Sequence, residues 1–138
     1  HIMRLTLVTS LMVSAPMLAQ TTVFSSNFDA AIPAAIAPGT ATLTGVQGFA
    51  ALGPVASRFG GTFLRSETGN TVTLQLTNLP AHNSIRLDFL FAAIDSLDGQ
   101  GTFPSGDFFK ITLDGTTIFR ESFANAVTSQ IQTYIPPP

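Results

Sequence analysis

The pair Asp114-Gly115 sits between DFFKITL (107–113) and TTIFRESF (116–123), and no other feature constrains this chain as tightly. A two-residue link between paired strands of this type needs positive φ at both central positions, and Asp-Gly is one of the few pairs that accept it. Phe109, Ile111 and Leu113 alternate before the turn, and Ile118 and Phe119 follow it. The spacing therefore predicts an antiparallel hairpin over 107–123, with Asp114 a turn residue.

The rest of the chain reads as further short strands between turns. TVFSSNF (22–28) is expected as a first strand, and AAIPAAIAPGTA (30–41), with two prolines and a glycine, as a loop. TLTGVQGFAALGP (42–54) gives a short strand interrupted by glycines, and RFGGTFLRSE (58–67) turns at Gly60-Gly61 into another. In NTVTLQLTNLP (70–80), Val72, Leu74 and Leu76 share one face and Thr71, Thr73, Gln75 and Thr77 the other. SIRLDFLFAAI (84–94) places Ile85, Leu87, Phe89 and Phe91 on one face, opposite Arg86 and Asp88. SQIQTYI (129–135) is expected as a last strand, stopped by prolines. Many short strands without βαβ alternation imply an all-β fold, an antiparallel sandwich or barrel.

Length and composition bound the function classes. The 138 residues suit one domain with a core. The N-terminal run MRLTLVTSLMVSAPMLAQ has one basic residue, Arg4, an apolar stretch from Leu5 to about Ala15, and a small residue at Ala19. That is the layout of a secretory signal peptide over residues 1–19, leaving 20–138 as a single domain. His1 and Ile2 precede Met3 and read as an added remnant. The apolar stretch is too short for a spanning helix, which needs about 20 apolar residues, so no membrane span is expected. The six basic residues are scattered singly over a net charge of −2, which leaves no footprint for nucleic acid. The chain has no cysteine, which excludes disulfides, thiolate metal sites and thiol catalysis.

Charged residues make up only 10% of the chain, yet Asp95, Asp98, Asp107 and Asp114 fall within AAIDSLDGQGTFPSGDFFKITLDG (92–115). With Asp114 assigned to the hairpin turn, Asp95, Asp98 and Asp107 remain. They read as a solvated loop, as a calcium site completed by loop carbonyls, or as a catalytic carboxylate pair. The spacing is not that of an EF-hand. A glycosidase cleft is disfavoured because the chain has no tryptophan and only one tyrosine, Tyr134. His82 lies in a Leu-Pro-Ala-His turn with no nucleophile elbow nearby, and reads as a hydrogen-bonding turn residue rather than a triad member.

Leu79-Pro80-Ala81-His82, Ile94-Asp95-Ser96-Leu97-Asp98-Gly99 and Asp107-Phe108-Phe109-Lys110-Ile111-Thr112-Leu113-Asp114-Gly115 carry a resemblance. The run resembles a family of secreted bacterial β-sandwich domains found in exosortase-sorted (PEP-CTERM) proteins and in surface or matrix proteins, over about residues 23–135. Leu97 stands where the family has tryptophan, and the family's further strands, ending in an Asp-Glu-Ser-Trp-Ala-Ile-Asp-Asn-Val-like segment, are not found before Pro138. The resemblance implies a fold and a secreted or cell-surface address more than an activity.

With the resemblance, the expectation is an antiparallel β-sandwich of jelly-roll type, a non-catalytic extracellular module stabilised by calcium at Asp95, Asp98 and Asp107 and acting in adhesion or matrix structure. Its expected partners are surface or matrix components or other copies of itself. The alternatives are a filament subunit that adds strands between copies, and a glycan-binding module, against which the missing tryptophan counts.

Overall fold

A computed structural model describes residues 20–100 and 106–136; the signal-peptide reading of residues 1–19 lies outside them. The described chain is all-β and contains no α-helix. Six strands form three small antiparallel pairs. β1 (Ile36–Ala37) pairs with β4 (Thr73–Leu74), β2 (Thr42–Gly45) with β3 (Thr62–Arg65), and β5 (Phe108–Leu113) with β6 (Thr116–Ser122).

The β5–β6 hairpin forms as the turn chemistry dictates. Leu113 faces Thr116 across the two-residue turn, with Asp114 at φ 47° and Gly115 at φ 82°. The register shifts between Ile111 and Thr112, so that Thr112 faces Thr117 but Ile111 faces Phe119. Ile118 is the extra residue. This bulge moves Phe119 to the face that carries Phe109 and Ile111, and explains why two apolar residues stand side by side after the turn. On the opposite face, the Arg120 guanidinium lies 3.5 Å from the centre of the Phe108 ring.

Elsewhere the pairing is shorter than the alternation implies. Residues 22–28 form no strand; Asn27 and Ser26 instead make local bonds to Asp29 and the Phe28 amide, and Asp29 Oδ1 accepts the Thr62 amide at 2.9 Å. The proline-rich 30–41 segment, expected as loop, supplies β1. The strand that opens 42–54 stops at Gly45 and gives way to a short 3-10 turn over Gln47–Phe49. Within 70–80 only Thr73 and Leu74 pair in a strand, and the Gln75 amide adds one bond to the Ala35 carbonyl. The expected final strand is reduced to a bridge between Ile131 and Gln100 and to the Thr133 and Tyr134 bonds onto Ser122. Alternation marks which face is apolar; it does not supply a neighbour for the backbone.

Two aromatic clusters take the place of one core. Phe63 of β3 meets Phe49 and Phe59 edge-on. A longer row joins Phe89, Phe91, Phe109, Phe119, Phe123 and Tyr134, with Phe91 stacked on Phe109 at 4.3 Å and Phe123 on Tyr134 at 5.0 Å. Among the described residues Ala41 is the buried hydrophobic one, while Ile85, Leu87 and Phe89 are all more than half exposed.

Candidate functional site

The described residues on either side of 101–105 are hydrogen-bonded to each other and bridge to the chain that follows β6. The Asp98 amide donates to Asp107 Oδ2 at 2.6 Å, and the Asp107 amide returns to the Gly99 carbonyl at 3.1 Å. Asp98 Oδ1 accepts from Gln130 Nε2 at 2.6 Å. Asp98 also bridges Ala124, and Gln100 bridges Ile131. Gly99 is buried with φ 66°, and a Cβ there would meet the Ala124 methyl at 2.7 Å, so this approach admits only glycine.

The structure thus brings Asp98 and Asp107 together. Asp95 goes elsewhere: its Oδ2 accepts from Arg65 Nη2 of β3 at 2.5 Å, and its backbone turns the chain at φ 63°. Among the described residues no three acidic or histidine side chains gather in a group able to hold a metal ion. Each of the three carboxylates already has a donor within the chain.

Two organising residues were not visible in the sequence. Asn125 accepts the Leu97 amide at 2.7 Å and donates to the Ala93 carbonyl at 3.2 Å, and Gln130 holds Asp98. Both lie about thirty positions from their partners, where no local spacing points to them. His82 behaves as a turn residue: Nδ1 is 2.8 Å from the Pro80 carbonyl oxygen, which can only accept, so Nδ1 carries the proton.

Beside the acidic loop runs the segment 84–94, which has no bend or turn along its length. Residues two apart share a face, as an extended backbone requires. Phe89 and Phe91 both touch Phe109, and Arg86 bonds Asp88 through two contacts, at 2.7 and 3.0 Å. Asp88 holds the Arg86 guanidinium above its ordinary pKa, first by this hydrogen bond and then by its charge. Both side chains are 67% exposed. Among the described residues, no backbone N–H or C=O from Ser84 to Ala92 takes part in a hydrogen bond. A shallow groove lined by Pro54, Ser57 and Leu87–Leu90 adjoins it, with Leu90 close to Gly53. No described helix is long and apolar enough to cross a membrane. Comparison with protein families, with curated proteins and with solved structures finds no match for this chain.

Proposed function

We propose that the chain is a non-catalytic β-sandwich module of jelly-roll type, secreted or displayed at a bacterial cell surface, that works in adhesion or matrix structure by binding another polypeptide. One observation carries this reading. Segment 84–91 presents an apolar row to solvent while its backbone groups have no partner among the described residues. An extended segment in that state is a template for strand addition. Phe89 and Phe91 of this segment pack against Phe109 of the hairpin, and a further layer laid over the segment would complete a sandwich.

Amide hydrogen exchange on the full chain tests this reading. In dilute monomer, the amides of residues 84–91 are expected to exchange within seconds, unlike those of the β5–β6 hairpin. Slow exchange there in the monomer would show that the chain covers its own edge, and the proposal would fall.

A bound calcium ion is a second reading, and the convergence of Asp98 and Asp107 is what favours it. Two carboxylates and the Gly99 carbonyl are oxygen donors of the kind calcium takes, and Asp95 would join only by leaving Arg65. Calcium at about 100 times its Kd adds about 2.7 kcal/mol of stability. An unchanged melting temperature between millimolar calcium and chelator would remove this reading.

A further inference from the structure

Resting on the interaction reading above, we infer that Ser84–Leu90 pairs with the same segment of a second copy, antiparallel about a two-fold axis through Leu87. Antiparallel neighbours that face each other lie on the same side of a sheet. Odd residues of this segment are apolar and even ones carry the charges, so a two-fold contact must set odd against odd. An axis between two residues would instead mix the apolar row of one copy with the charged row of the other.

The charges then choose among the remaining registers. An axis at Arg86 sets it against the partner's Arg86, and an axis at Asp88 sets two carboxylates face to face. An axis at Leu87 places Arg86 opposite the partner's Asp88, and Asp88 opposite the partner's Arg86. It also sets Ile85 against the partner's Phe89, an aromatic and β-branched pair of the kind that stabilises sheets. Leu87 meets the partner's Leu87 on the axis. The contact is isologous and closed, so it makes dimers, not filaments. It uses the backbone groups of 84–90 that have no partner among the described residues. Arg86 and Asp88 pair with each other within one copy, and because each stays 67% exposed the pair can be shared with, or exchanged for, the partner's Asp88 and Arg86.

The chain contains no cysteine, so a cysteine scan reads the register directly. Full-length Ile85→Cys, Arg86→Cys, Leu87→Cys, Asp88→Cys and Phe89→Cys are oxidised mildly and resolved on non-reducing gels. Facing Cα atoms lie about 4.5–5.5 Å apart, within disulfide range. Each step from the axis displaces a residue from its own copy by about 7 Å along the strands. Crosslinking is therefore expected to peak at Leu87→Cys and vanish at Ile85→Cys and Phe89→Cys. In sedimentation equilibrium, Arg86→Asp and Asp88→Arg are each expected to weaken dimerisation on the order of ten-fold or more, with recovery in the double exchange. Circular dichroism confirms that each variant keeps its β signal.

A crosslinking maximum at residue 86 or 88 overturns the register, and a monomer at all concentrations overturns the dimer. Hydrogen exchange separates this failure from that of the broader reading. Fast exchange at 84–90 at every concentration removes the dimer but leaves the interaction module standing. Slow exchange in dilute monomer removes both.

Discussion

Single polar side chains hold distant segments of this chain where strands do not. Asn70 is the clearest case: its Oδ1 accepts the Thr40 amide at 3.0 Å, and its Nδ2 donates to the Pro38 carbonyl and the Ser66 hydroxyl. These bonds fasten the proline-rich segment across the start of β4. Each net hydrogen bond contributes about 1 kcal/mol, and a donor or acceptor left without a partner costs more. Asn70→Ala is expected to lower stability by about 1–3 kcal/mol in a denaturant melt. Asn70→Asp keeps the acceptor, loses the two donated bonds, and is expected to fall between. Ser122 is the second case. It is fully buried, and its amide and hydroxyl both engage Thr133, whose own amide donates back to Ser122 Oγ at 2.8 Å. Ser122→Val removes from a fully buried position the hydroxyl that bonds Thr133, and an expected loss of about 1–3 kcal/mol is read the same way.

At the scale of elements, the hairpin shows what turn chemistry and pattern convey together. Gly115→Val forces a β-branched residue to φ 82°, and the left-handed region costs such residues about 1–2 kcal/mol, so a loss of that size is expected. The bulge is tested by a contrast at one position. Ile118 is 54% exposed, so Ile118→Ala should change stability by about 0.5 kcal/mol or less. Deleting Ile118 instead turns Phe119 away from Phe109 and is expected to cost far more, read as loss of the cooperative melt. The hairpin was legible because its determinants are local: an Asp-Gly turn flanked by alternating apolar residues. The other strands were less so. Residues 22–28 and 129–135 read as strands from their composition and flanking turns, yet Asp29, Ser122 and Thr133 secure them by side-chain bonds to residues 11 to 33 positions away. The acidic loop shows the same division. The grouping of Asp98 with Asp107 was among the readings of the stretch, whereas the bridge from Asp98 to Ala124 that seats it depends on a segment 26 positions away. The capture of Asp95 by Arg65 depended on where β3 lies, which no spacing within 92–115 records.

For the molecule as a whole, the question is what stabilises a chain that is 45% apolar and leaves so much of that surface wet. Burial contributes roughly 25 cal/mol per Å² of apolar surface removed from water, so side chains such as Ile85, Leu87 and Phe89 contribute about half of what they can. Phe89 and Phe91 rest on Phe109 yet stay 52% and 40% exposed. A second copy paired along 84–90 adds backbone hydrogen bonds and cross-strand contacts to groups that have no partner among the described residues. Stability should then depend on protein concentration by mass action, which a self-sufficient monomer does not show. Partner at about 100 times the dissociation constant adds about 2.7 kcal/mol. For a domain of this size that corresponds to a rise in Tm on the order of 10 °C. The measurement is a series of thermal melts across a hundred-fold range of concentration, run alongside Arg86→Asp. The native chain is expected to melt later as concentration rises, and the variant to show a flat profile at the low end of the native range. If the native profile is also flat, the single chain already reaches its full stability, and the exposed row contributes nothing through self-association.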